Sequence, residues 1–218
     1  MTVPPRHYPT PAAKCADLVV HVAGLTLALI GGGILLGLSV RLGHMGQTAA
    51  IGIYAAGMVA MLALSTAYNF AKAAHRPLLR RFDHAGIFLM IAGSYTPFTT
   101  QNLHGAWAIG MTTAVWSVAL VGVAGKLFLP GLGRRFWVAI YLALGWLVLV
   151  AIKPMIEGLS WPALTLLALG GLAYSTGAVF YLIQRLKFRR AIWHGHVVGG
   201  AALQYVAVLL GVVLAQPH

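Results

Sequence analysis

Long apolar stretches without charged residues dominate this chain and exclude most soluble folds. Hydrophobic residues make up 60% of its 218 residues and charged residues only 8%, whereas a soluble domain carries about 25% charged residues. A soluble fold of this length could not bury so much apolar surface in one core. Lipid is therefore the expected solvent, in which a chain must form helices or a closed barrel. Barrel strands alternate apolar and polar residues and these stretches do not, so we predict an all-α membrane protein.

The apolar stretches predict a seven-transmembrane helix bundle, because a bilayer core of about 30 Å requires about 20 apolar residues per helix. Residues 1–17 are proline-rich and are predicted to form a cytoplasmic N-terminal tail. They do not resemble a signal peptide, since no apolar core precedes a cleavage site. A single membrane domain is predicted over residues 18–214, with spans at 18–40, 47–69, 84–100, 105–125, 136–152, 161–183 and 191–214.

Basic residues indicate how these spans are oriented, because cytoplasmic loops carry an excess of Lys and Arg. Of the 15 Lys and Arg residues, all except Arg41 and Lys153 lie in the tail or in alternate loops. This distribution predicts that the N-terminus is inside and the C-terminus outside. The net charge of +12 is then a result of topology, so we expect membrane lipids and not nucleic acid as partners. The pattern does not fix an oligomeric state.

Eight polar residues are predicted to lie at one depth near the cytoplasmic surface, where four helices begin or end. They are Asp17, His21, Ser65, Asn69, Asp83, His84, Arg190 and His194. Polar groups within membrane spans are costly and tend to be functional, and pairs spaced by four share a helix face. We therefore predict a polar pocket there. Plainer interpretations stay open: Asp17 favouring a helix N-terminus, Asp83 pairing with a nearby arginine, and the histidines lying among lipid headgroups.

Several blocks of this sequence resemble the hemolysin III family, which belongs with the progestin and adipoQ receptors. The most specific are residues 64–69 (LSTAYN), 80–87 (RRFDHAGI) and 91–98 (IAGSYTPF). Residues 17–21 (DLVVH) resemble the start of the family's first helix, and 192–194 (IWH) its last-helix motif. The resemblance covers nearly the whole chain and implies seven helices with the N-terminus inside.

The resemblance also implies a zinc site, which this sequence retains only in part. Relatives with a metal hold zinc near the cytoplasmic face with three histidines. Asn69 stands at the second-helix position and Arg190 at the first of two last-helix positions, so only His194 is retained as a metal ligand. An amide oxygen is a poor zinc ligand and a guanidinium offers no lone pair. We expect that the pocket persists without zinc and that Arg190 occupies the cation's place and pairs with Asp83. Rescue of the zinc site by His21 or His84 is the alternative.

Three functions follow from these residues and from the resemblance. The first is a non-enzymatic protein that binds a lipid or another ligand in the pocket. The second is a zinc-dependent hydrolase of a lipid amide, in which Asp83 and Ser65 are the catalytic residues that orient water or the oxyanion. The third is pore formation or transport, since the family takes its name from cytolysis. The short loops favour a multi-pass protein of a bacterial inner (plasma) membrane.

Overall fold

A computed structural model describes residues 7–129 and 131–215, and all regular structure in these ranges is helical. The α-helices are α1 (Pro11–Leu42), α2 (Met45–Phe70), α3 (Arg76–Gln101), α4 (Gly105–Phe128), α5 (Arg134–Gly145), α6 (Ile152–Gly158), α7 (Trp161–Leu182) and α8 (Arg189–Val208). A 3₁₀ segment (Leu147–Ala151) joins α5 to α6, and a π-helical segment (Leu209–Val213) continues α8. The prediction of an all-α protein is confirmed.

Six segments of the described chain are long and apolar enough to cross a membrane: Pro11–Leu42, Met45–Phe70, Gly105–Phe128, Arg134–Gly158, Trp161–Leu182 and Arg189–Val213. Helix α3 has 26 residues and is about 39 Å long at 1.5 Å per residue, but the arginines of its first turns make it less apolar. A multi-pass helical membrane protein is therefore confirmed. The count of seven spans and the location of the termini stay predictions.

Helix α1 begins at Pro11, within the segment that the sequence predicts as a tail. Proline suits a first helical position because its missing N–H would be unpaired there. The Thr10 hydroxyl caps the helix by accepting a hydrogen bond from Ala13 N at 3.2 Å. Asp17 therefore lies in the second turn, beyond the reach of the terminal dipole. The interpretation of Asp17 as a helix N-terminal residue is wrong.

The fifth predicted span is not one continuous helix. It breaks at Gly145, and the Tyr95 hydroxyl of α3 contacts the backbone groups that the break leaves free. This hydroxyl donates to the carbonyl oxygens of Leu144 and Gly145, at 3.1 and 2.8 Å, and accepts from Val148 N at 2.8 Å. A broken helix is tolerated in a membrane protein when neighbouring side chains pair with its backbone in this way.

The helices form a closed ring in which neighbours in sequence pack together and α8 returns to α1. Glycines allow a close approach between α2 and α3. A Cβ on Gly57 would lie 3.3 Å from the Leu89 carbonyl oxygen, and one on Gly93 would lie 3.3 Å from that of Ile53. Small residues at such crossings let membrane helices come together. The ring encloses an internal cavity between its helices.

Candidate functional site

The cavity within the ring has a volume of about 820 Å³. One part of its wall is polar and carries Ser65, Asn69, Asp83, His84, Arg190 and His194. The remainder is mainly apolar and aromatic, with Met61, Met90, Trp137, Trp146, Tyr174 and Val197 among its residues. We call the polar part the basic end, because six cationic residues line it: Arg76, Arg80, Arg81, Lys126, Arg134 and Arg190. Asp83 is the one acidic residue described in the wall.

A buried hydrogen-bonded network lies beside the basic end and joins helices α1, α2 and α8. The Asp17 carboxylate oxygen Oδ1 lies 2.7 Å from His194 Nδ1. On the other edge of that ring, His194 Nε2 lies 3.4 Å from Ser65 Oγ. His21 Nε2 approaches the same hydroxyl at 3.3 Å. Asp17, His21, Ser65 and His194 are all at most 8% exposed, so these contacts are shielded from bulk solvent.

The partners of each ring define where the imidazole hydrogens lie in this network. His21 Nδ1 faces the Asp17 carbonyl oxygen at 2.8 Å, and His194 Nδ1 faces the Asp17 carboxylate. Neither oxygen can donate, so both Nδ1 atoms carry hydrogens. In the neutral rings, both Nε2 atoms then present lone pairs towards Ser65 Oγ. The serine hydroxyl lies between two nitrogens that can accept its proton.

Arg190 occupies the side of this network that faces Asn69. Its NH1 donates to Asn69 Oδ1 at 3.0 Å, and its NH2 lies 3.2 Å from His7 Nδ1. The Asn69 amide nitrogen donates to the Ser65 carbonyl oxygen at 3.0 Å and to Ser65 Oγ at 3.4 Å. The predicted pair between Arg190 and Asp83 is wrong: within the described residues, Arg190 bonds to Asn69 and His7 instead.

The segment that precedes α1 closes over the network. His7 Nε2 lies 3.3 Å from Asn69 Oδ1, and the Tyr8 hydroxyl donates to Asp17 Oδ2. Burial, with the charges of Arg190 and Arg76, lowers the pKa of His7 to about 4. His7 is therefore neutral at pH 7, and its Nδ1 can accept from Arg190. Burial raises the pKa of Tyr8, which keeps its hydroxyl a proton donor.

Asp83 and His84 of α3 also line the cavity, and His84 contacts Lys126 of α4. Lys126 Nζ lies 3.3 Å from His84 Nδ1 and 4.2 Å from the centre of the Trp137 ring. His84 Nε2 lies 4.0 Å from Asp83 Oδ2. Lys126 is 8% exposed, and no carboxylate among the described residues forms a salt bridge with it. The basic end therefore contains a buried cation without an acidic partner.

The structure brings together six of the eight polar residues that the sequence singled out. Asp17, His21, Ser65, Asn69, Arg190 and His194 form the network, whereas His84 contacts Lys126 and Asp83 lies beside His84. Sequence analysis missed His7 and Tyr8, which lie outside the apolar stretches and carry no periodic signal. It also missed Lys126, which was counted as a loop charge although α4 extends past it to Phe128.

Comparison with known proteins assigns the chain to a family. The model of the family described as Haemolysin-III related matches residues 15–205, which covers the whole ring of helices except its two ends. The chain belongs to the haemolysin-III related family. The predicted resemblance is thereby confirmed.

Proteins from distant organisms align over most of this chain. Hemolysin-3 of Bacillus cereus is 34% identical, over 92% of this chain and 92% of the relative. The Hemolysin-3 homolog of Bacillus subtilis (strain 168) is 32% identical, over 90% and 92%. The human Monocyte to macrophage differentiation factor is 27% identical, over 93% and 86%. The chain therefore spans nearly the full length of these relatives.

Three side chains are close enough to hold a metal ion, and they include His21 and His194, the pair in the alternative that His21 rescues the zinc site. Asp17, His21 and His194 each offer a ligand atom within 4.8 Å of the other two. Their hydrogen bonds do not fit a tight zinc site, however. Both Nδ1 atoms carry hydrogens. The Asp17 carboxylate contacts the Nδ1 edge of the His194 ring, which is opposite the edge with the free Nε2. Zinc sites use three or four protein ligands. Here the Nε2 atoms of His21 and His194 both face the Ser65 hydroxyl instead of a shared ion position with the Asp17 carboxylate.

Proposed function

We propose that this haemolysin-III related protein binds an amphiphilic lipid inside its cavity, with the polar head at the basic end. The observation that supports this proposal is one continuous cavity of about 820 Å³ whose wall changes from polar to mainly apolar and aromatic. Ligand sites are concave, largely apolar and furnished with a few convergent polar groups. An acyl chain would lie among Met61, Met90 and Trp146 while its head contacts charged residues.

The charges of the wall favour an anionic head. The basic end carries six cationic side chains and one described acidic residue, Asp83. Several of the cations are already partnered, as when Arg81 donates to the Leu127 carbonyl oxygen at 3.1 Å. Lys126 uses one of its three N–H donors, on His84. A carboxylate or phosphate that accepts from the other two would pair a buried charge.

We further propose that the protein spans a bacterial plasma membrane seven times, with α3 as the seventh span and the basic end facing the cytoplasm. The excess of Lys and Arg in alternate loops supports this orientation. Zinc is proposed to be absent, because Asn69 and Arg190 provide no histidine ligands and because the hydrogens on His21 and His194 face Asp17.

Native mass spectrometry of the detergent-purified protein with added palmitate tests the proposed function. We expect one palmitate per protein, and Ala178→Phe should abolish its binding. Ala178 is buried in the cavity wall on α7, so a phenyl ring there would fill the space of the acyl chain. Ala168→Phe is the matched control, since Ala168 is exposed on the same helix. Equal binding by the wild-type protein and both variants would contradict binding in the cavity.

A further inference from the structure

We infer that Asp17, His194 and Ser65 form an acyl-transfer triad that needs no metal and hydrolyses an ester bond of an acyl lipid in the cavity. The inference rests on the proposed lipid binding, which places the substrate next to Ser65. Serine, histidine and aspartate triads are recognised by their geometry and roles, and not by their order in the sequence. Here the three residues come from three different helices.

The contacts match the three roles in turn. Asp17 Oδ1 accepts from His194 Nδ1 at 2.7 Å, which holds the imidazole in the tautomer with a free Nε2. That Nε2 lies 3.4 Å from Ser65 Oγ, a long contact of the kind that tightens when substrate binds. The Tyr8 hydroxyl donates to the second carboxylate oxygen of Asp17. Asp17 is thus a buried carboxylate fixed by donors at both oxygens, which makes it a positioning residue.

His194, and not His21, is the base that this geometry selects. Both rings present Nε2 to Ser65 at similar distances, but their opposite nitrogens contact different groups. His21 Nδ1 donates to a neutral carbonyl oxygen, whereas His194 Nδ1 donates to a carboxylate. A carboxylate stabilises the imidazolium that forms on proton transfer more strongly than a carbonyl does. A shared metal site would instead need both rings equally.

Donors for a developing oxyanion lie next to the serine. The Asn69 amide nitrogen is 3.4 Å from Ser65 Oγ, and the Arg190 guanidinium polarises that amide through its bond to Asn69 Oδ1. Amide and cationic donors held in place before reaction are the usual way of stabilising such an anion. At two positions where the resemblance implies histidines, Asn69 therefore provides an amide donor beside Ser65, and Arg190 binds that amide.

Substrate and water can both reach these atoms. Ser65, Asn69, Arg190 and His194 line the cavity, whereas Asp17 is fully buried behind them. The exposed residues Arg80 and Arg81 also line the cavity, so the basic end opens to solvent. An acyl lipid can extend its chain into the apolar part while its carboxyl carbon lies near Ser65. The ester is the expected substrate because its alcohol leaves more readily than an amine.

The reaction is a balanced hydrolysis. Ser65 Oγ forms a bond to the acyl carbon while its proton passes to His194 Nε2. The ester C–O bond breaks, and the alcohol leaves with that proton. Water then attacks the acyl carbon, gives one proton to His194, and releases the carboxylic acid as the proton returns to Ser65 Oγ. Neither an oxidant nor a metal ion takes part.

An alkyl fluorophosphonate, which forms a stable bond to an activated serine with loss of fluoride, tests the inference on the full-length protein. We expect labelling of Ser65, mapped by peptide mass spectrometry, at a rate that a metal chelator leaves unchanged. Ser65→Ala should abolish labelling, and His194→Gln should slow it about 100-fold or more, the usual contribution of a general base. His21→Gln should slow it less than about tenfold. Asp17→Asn should change the pH profile of labelling, which mere loss of packing would not do.

Two matched substitutions control for damage to the fold. Ser39→Ala removes a buried serine outside the cavity wall, whose hydroxyl lies 3.4 Å from Thr48 Oγ1, and it should leave labelling intact. His196→Gln alters the histidine that packs on Phe180 away from the network and should also have no effect. Labelling that fails in the wild-type protein, survives His194→Gln, or disappears with the chelator would overturn the triad. If palmitate still binds in that case, the proposed lipid binding stands; if palmitate does not bind, both fail.

Discussion

Restoring the two missing histidines should convert this cavity into a zinc site. In the structure, Arg190 NH1 lies 3.0 Å from Asn69 Oδ1. An ion bound at that oxygen, at a metal–oxygen distance of about 2.1 Å, would be at most about 5 Å from the guanidinium nitrogen. At an effective dielectric constant of 20, repulsion between charges of +2 and +1 at that distance is about 7 kcal/mol, or about 10⁵-fold in affinity.

The double variant Asn69→His/Arg190→His removes this repulsion and supplies two more imidazoles near His194. We expect near-stoichiometric zinc in the purified double variant and little in the wild-type protein, both measured by elemental mass spectrometry. Zinc at 100 times its dissociation constant stabilises a folded protein by about 2.7 kcal/mol. For a chain of this length, that corresponds to a rise in melting temperature of about 5 to 11 °C, measured by thermal denaturation with and without zinc.

Two controls distinguish charge from ligand count. Arg190→Met removes the repulsion without adding an imidazole and should bind zinc weakly. The double variant combined with His194→Ala should lose its zinc. If the wild-type protein retained near-stoichiometric zinc that His194→Ala removed, the electrostatic reasoning would be refuted, and with it the proposal that zinc is absent.

Three further predictions concern the lipid head, the N-terminal segment and the topology. Lys126→Met should weaken palmitate binding about tenfold or more in native mass spectrometry, which is the contribution of a hydrogen bond to a charged group. Binding of hexadecanol, which has no charge, should be unchanged, and Lys153→Met is the control. Equal loss of palmitate and hexadecanol binding would contradict the role of Lys126. The pKa of His7 is lowered to about 4, so the unfolded segment binds more protons below pH 6.5, and opening of residues 7–10 should become more favourable as pH falls from about 6.5 to 4. Hydrogen exchange measures this opening once each rate is divided by the intrinsic rate of an unprotected amide at the same pH. His7→Gln should abolish the pH dependence of that ratio, and a pH-independent ratio in the wild-type protein would contradict the prediction. Cysteine labelling in intact cells should place the loop before α3 inside and the C-terminus outside; both in one compartment would contradict seven spans.

Some features of the site could be predicted from local pattern alone. Once the spans and their order were set, residues such as Ser65 and His194 had to lie at the same depth, because each is a fixed number of 1.5 Å steps from the same membrane surface. Spacing by four likewise placed Ser65 and Asn69 on one helix face. Family resemblance added the family's serine and aspartate positions, Ser65 and Asp83.

Which side chains at that depth touch could not be read from the sequence. Arg190 bonds to Asn69 and His7 and not to Asp83, and Asp83 lies beside His84, which contacts Lys126. These pairings depend on the rotation of each helix within the ring. That rotation is set by packing between segments far apart in sequence, such as the glycine contacts of α2 with α3.

The sequence by itself determined that this chain is a helical membrane protein of the haemolysin-III related family with polar residues gathered at one level. Composition and the length of the apolar stretches are enough for the helical membrane class, since lipid requires backbone groups to be hydrogen-bonded within the protein, whereas the family follows from the resemblance of particular sequence blocks. Tertiary structure alone decided that Asp17, His194 and Ser65 contact one another and that the segment at His7 and Tyr8 covers them. The reason is that a hydrogen bond requires two particular atoms within about 3 Å, and only the packed ring fixes distances between residues 177 positions apart.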